Sequence, residues 1–122
     1  MNRGLALALL LLAFAAVLAG SDAILMKDAI EENEARLTAL NETEVATCEE
    51  VARVLDTFER TRFLFSVSVP TGYINEYDEA LAALFASAHA KEVGAYAAAR
   101  AEAMTALLQI KRSALFSLEQ IL

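Results

Sequence analysis

The chain has one cysteine, one proline, four glycines, one histidine and no tryptophan among its 122 residues. Each scarcity removes a class of protein. A lone cysteine, Cys48, cannot close an intrachain disulfide, so a disulfide-stapled small fold is excluded. One histidine, His89, beside one cysteine falls short of the four nitrogen and sulfur donors of a structural zinc site. One proline and four glycines leave too little turn punctuation for a sheet protein, so the reading is helix throughout. Basic side chains are also few, 10 against 17 acidic ones, for a net charge of −7. That imbalance repels phosphate backbones, and no Lys/Arg cluster offsets it, so nucleic acid is not an expected partner.

The charge is unevenly spread. Lys27 to Glu79 holds five basic and thirteen acidic residues, whereas Ala80 to Leu122 holds four and three. The acidic part disfavours docking on anionic lipid head groups. What the chain has instead of charge at its start is a long apolar run, Gly4 to Gly20, without a polar side chain. Extended as helix through Ala23-Ile24-Leu25-Met26, it reaches the roughly 30 Å of a bilayer's hydrocarbon core at 1.5 Å per residue.

Residues 1–26 are therefore read as a transmembrane anchor or a signal peptide, and 27–122 as an extracytoplasmic helical domain. Arg3 precedes the run, while Asp22, Asp28, Glu31, Glu32 and Glu34 follow it, which orients the N-terminus to the cytoplasm. Val17-Leu18-Ala19 before Gly20 also suits a signal peptidase, although the apolar core meets or exceeds the usual length of about 7–15 residues. An uncleaved anchor predicts a single-pass protein of the cell membrane, in contact with lipid through residues 4–26. A cleaved one predicts a secreted protein.

Beyond the anchor, apolar residues recur at helical spacing. Ile30, Leu37 and Leu40 carry the first helix on to about Leu40. Asn41 with Glu44 offers a cap for the next helix, and Thr47 with Glu50 offers the same pattern later. That helix presents Val45, Cys48, Val51/Ala52, Leu55, Phe58 and Phe65, and is expected to stop near Ser66. Val67 to Gly72 reads as a loop and turn around Pro70. Asn75 with Asp78 reads as the start of a third helix, with Tyr77, Leu81, Leu84 and Ala88 inward. A break near 90–94 precedes a fourth, whose inner stripe is Tyr96, Ala99, Ala103, Leu107, Ile110 and Ala114. Thirteen alanines between Ala80 and Ala106 predict close packing of the last two helices as an antiparallel hairpin. The apolar ending Leu115 to Leu122 is expected to pack back on the bundle or dock elsewhere. The fold class is all-α: an N-terminal transmembrane helix followed by a small antiparallel helical bundle.

Candidate chemistry is thin. Cys48 falls in an apolar periodicity and reads as a small buried hydrophobe. His89 and Glu92, three apart, have the spacing of a metal pair on a helix but lack further ligands. Nothing in the sequence places Cys48 beside His89 as a nucleophile pair. Asp28, Glu31, Glu32 and Glu34 read as a solvated face. Tyr73 and Tyr77 beside Pro70 are the candidate partner-contact residues. No catalytic residue, cofactor or metal is expected.

The layout of a short basic start, a membrane helix, an acidic helical domain and a Leu/Ile-rich end resembles a family of small bacterial single-pass proteins grouped as a domain of unknown function. Phe58, where relatives are expected to carry Trp, and the ending Ser117-Leu118-Glu119-Gln120-Ile121-Leu122 add to the resemblance. It implies location and fold, and no activity. The expected function is a non-enzymatic interaction or scaffold domain at the membrane, with an unknown protein partner or a second copy of itself. The alternative is a secreted helical binding protein for a small apolar ligand.

Overall fold

Leu and Ala dominate the first thirty residues, and both favour helix strongly. The helix they open, α1 (Arg3–Thr38), begins where the side chain of Asn2 accepts a hydrogen bond from the Gly4 N–H at 3.0 Å. At 1.5 Å per residue it is about 54 Å long. The structure, a computed structural model, describes residues 2–42 and 44–121, the side chains of 19–22 and 117–121 excepted. Three further helices follow: α2 (Cys48–Ser68), α3 (Thr71–Ala90) and α4 (Val93–Ile121). Among the described residues there is no strand.

Both cap patterns between α1 and α2 are used, for different ends. Asn41 Oδ1 accepts from the Glu44 N–H at 3.2 Å within the connecting loop, and no helix starts there. Thr47 is the true N-cap, its hydroxyl accepting from the Glu50 N–H at 3.2 Å. Glu49 and Glu50 then face the positive end of the helix dipole. Of the two starts the sequence offers, the helix takes the one at Thr47.

The α2–α3 connection is shorter than the sequence predicts. α2 continues through Val67 to Ser68, and Val69 is extended (φ −113°, ψ 134°), as the residue before a proline must be. α3 begins directly at Thr71 rather than near Asn75. Proline at the N-cap needs no N–H partner, so Thr71 and Gly72 form the first helical turn instead of a separate turn. At the far end of α3, Lys91 adopts the left-handed conformation (φ 56°, ψ 36°). The Glu92 N–H bonds to Ser87 O and the Lys91 N–H to Ala88 O, a Schellman closure that usually carries glycine.

The helices pack up-down-up-down. α3 and α4 form the most extensive pair, as the alanine content implies, while α1 lies against α2 and α4 and makes no packing with α3 among the described residues. The buried stripe of α4 is Tyr96, Ala99, Ala103, Ala106, Leu107, Ile110 and Ala114. α2 turns slightly from its expected register: Val51, Val54, Thr57, Phe58, Thr61 and Phe65 are buried, while Ala52 is exposed and Leu55 half-buried. Thr57 and Thr61 can face inward because each hydroxyl donates to its own helix, to Arg53 O and Thr57 O at 2.9 Å. Their methyl groups are then free to pack.

Phe58 is fully buried and central. Its ring meets Tyr77 edge-on at 4.9 Å and Phe65 in a stacked arrangement at 6.5 Å. The Arg62 guanidinium covers the outer side of Phe58 at 5.4 Å and bonds to Glu59 and Asp78. Burial in α1 begins only at Met26, followed by Ala29, Ile30, Asn33 and Leu37. Above Met26 α1 is a wall of the bundle, and below it a bare rod.

Candidate functional site

The two tyrosines singled out by sequence end in different places. Tyr73, in the first turn of α3, is 38% exposed, whereas Tyr77 is fully buried against Phe58. One turn of helix separates them, but α3 presents only Tyr73 to solvent. The Tyr77 hydroxyl has no hydrogen-bond partner, and burial holds its phenol well above the ordinary tyrosine range. Tyr96 differs, since its hydroxyl donates to Asn41 O at 3.0 Å and ties the α1–α2 loop to the start of α4. Burial raises its phenol as well.

Cys48 and His89 are brought together, which the sequence did not anticipate. Antiparallel packing sets the first residue of α2 beside the last turn of α3, leaving Cys48 Sγ 3.8 Å from His89 Nδ1. Cys48 is half-buried rather than a core residue, and His89 is exposed. The pair supplies two of the four donors a zinc ion takes. Among the described residues no third His, Cys, Asp or Glu joins them, and no group of three such side chains converges anywhere.

The acidic run of α1 is only partly a solvated face. Glu32 pairs with Arg60 of α2 and Glu34 with Lys111 of α4, each at 3.1 Å, so two of the carboxylates orient neighbouring helices. Between them Asn33 is fully buried. Its Nδ2 donates to Ala29 O and to Thr61 Oγ1, both at 2.8 Å, while its Oδ1 has no partner. Sequence reading missed Asn33 because it sits among glutamates. Its spacing of three from Ile30 and four from Leu37 was the available signal.

The largest unexplained surface is apolar. Leu5, Leu7, Leu9 to Leu12, Phe14, Val17, Leu18, Ile24 and Leu25 are all 49–68% exposed on the rod of α1. This helix is long and apolar enough to cross a membrane or to serve as a signal sequence. Further exposed apolar groups, Phe63, Val67, Leu115 and Phe116, lie on α2 and α4. Comparison with protein-family models, with curated proteins and with solved structures finds no match to this chain.

Proposed function

We propose that this chain is a single-pass protein of a bacterial cell membrane, whose four-helix domain stands on the outer face as a non-enzymatic interaction or scaffold module. The bare rod of α1 is the observation that carries this reading. Burying a large apolar side chain is worth roughly 1.5–3 kcal/mol, so the exposed set from Leu5 to Leu25 gains about 20 kcal/mol in hydrocarbon. That exceeds the roughly 5–15 kcal/mol that keeps a domain folded. Water is therefore a poor resting place for this surface. From Arg3 to Leu25 the helix is about 34 Å long, which matches a hydrocarbon core of about 30 Å. Arg3 on one side and the acidic residues from Asp28 onward on the other favour a cytoplasmic start and an external bundle.

The unbroken helix also speaks for retention of the segment. α1 enters the bundle without a hinge, and cleavage after Ala19 would still leave Ile24 and Leu25 bare. The alternative of a secreted carrier for an apolar ligand finds less support. A groove of about 470 Å³ between α3 and α4 is lined by Glu76, Glu79 and Glu102 with Ala80, Ala101 and Ala106, and one of about 390 Å³ between α1 and α4 by Met104, Leu107 and Leu108 with Glu34 and Thr38; both lie open to solvent, whereas an apolar guest calls for an enclosed pocket. Alkaline phosphatase joined after Leu122 tests the orientation, since that enzyme works only outside the cytoplasm. Activity is expected, and an inactive fusion at normal abundance would reverse the orientation.

A further inference from the structure

At the end of the bundle nearest the α1 rod, the charged residues beside the rod are Lys27 and Asp28 of α1 itself, and the α2–α3 connection is uncharged. From Phe63 to Asn75, across the whole α2–α3 connection, no residue is charged, and Ser113 to Phe116 of α4 is equally free of charge. The opposite end, by contrast, carries Glu42, Glu44, Glu49, Glu50, Lys91 and Glu92.

Cross-helix pairs fix the height of these segments along α1. Thr61 bonds to Asn33, and α2 runs antiparallel to α1, so Val67 lies six residues lower, level with Lys27. Arg62 contacts Asp78, and counting back along α3 brings Tyr73 to about the same level. Lys111 pairs with Glu34, which sets Phe116 near Ala29. If the hydrocarbon core begins at Gly4, its roughly 30 Å ends about 20 residues on, near Ala23. Head groups occupy about another 5–8 Å, which reaches Asp28. Val67, Pro70 and Tyr73 fall inside that layer, and Phe116 lies at its border. Val67 is 67% and Phe116 61% exposed, although both are apolar.

We infer that this end of the bundle docks on the bilayer that holds α1, with Val67, Pro70 and Tyr73 seated in a neutral head-group layer. The inference rests on the anchor reading and adds to it. The bundle is not tethered at a distance but stands on the lipid surface, its acidic end pointing away. Tyrosine with one end apolar and one polar is suited to that layer. An uncharged α2–α3 connection beside the oppositely charged Lys27 and Asp28 of α1 matches zwitterionic lipid, and the acidic residues above it are kept clear of any anionic component.

The absence of tryptophan gives a clean test, because any introduced tryptophan is the sole one. Full-length Leu11→Trp, Val67→Trp, Tyr73→Trp and Ala97→Trp variants, each checked for native helicity, would be reconstituted in phosphatidylcholine vesicles with and without lipid brominated near the head group. Val67→Trp and Tyr73→Trp should emit to the blue of Ala97→Trp and lose emission to bromolipid, while Ala97→Trp should lose none. Two independent positions keep the test valid if one variant misfolds. Emission from both that is as red and unquenched as that of Ala97→Trp overturns the docking. An unquenched Leu11→Trp, with bromines placed deep in the chains, overturns the anchor reading instead.

Discussion

Phe58→Ala is the sharpest perturbation of the core. The ring is fully buried, meets Tyr77 edge-on at 4.9 Å and Phe65 at 6.5 Å, and supports the Arg62 guanidinium at 5.4 Å. Truncating a buried Phe to Ala costs about 3–5 kcal/mol through lost transfer energy and the cavity left behind. The helices around Phe58 are joined by short loops and cannot close fully on that space without shifting Tyr77. With a urea dependence of about 2 kcal/mol per molar, a loss near 4 kcal/mol moves the midpoint down by roughly 2 M. The assay is a urea titration of the full chain in non-ionic micelles, followed by near-ultraviolet circular dichroism. That signal reports the buried rings of Tyr77 and Tyr96 and ignores the helicity of the rod. Glu59→Ala is the control: its carboxylate is largely exposed and its pair with Arg62 is a surface one, so stability should change by less than about 0.5 kcal/mol. Equal midpoints for the two variants would refute the packing of α2 described here.

Tyr77→Phe should stabilise the fold by about 1 kcal/mol or more, because it removes a buried hydroxyl that has no partner, and the same titration reads it. Tyr77 also sets an alkaline limit. Its phenol is raised in the folded state, so above the ordinary tyrosine pKa of about 10 the unfolded chain gives up the proton first. Stability present below that pH should then fall as pH rises, more steeply for the native chain than for Tyr77→Phe; equal slopes would contradict the burial. Lys91→Gly should stabilise by about 1 kcal/mol, since glycine takes the left-handed conformation without a Cβ clash; a lowered thermal midpoint would count against the closure of α3.

Much of the fold was legible in the sequence because the last two helices are built from one repeated choice. In α4, Tyr96, Ala99, Ala103, Leu107, Ile110 and Ala114 face inward at steps of three and four, so the 3.6-residue period is plain. α2 was harder. Threonines counted as polar in the reading, yet Thr57 and Thr61 turn their hydroxyls onto their own backbone and pack as apolar groups. The start of α3 was misplaced because Pro70, Thr71 and Gly72 are turn formers one by one, and only their joint position after an extended Val69 makes them a helix start. The meeting of Cys48 with His89 was out of reach, since it depends on how the ends of two helices 41 residues apart are brought level. The uncharged α2–α3 connection was present in the sequence as the run from Phe63 to Asn75, but its meaning waited on the direction of each helix relative to α1.

Membrane anchoring stands or falls on the fate of the apolar rod itself. Membranes washed at alkaline pH strip peripheral proteins and keep spanning ones, and mass spectrometry of the retained chain reads its first residues. With α1 as an uncleaved anchor, the protein stays in the washed membranes with the segment from Leu5 to Leu18 intact. Recovery in the soluble external fraction, beginning at Gly20, would contradict that anchoring.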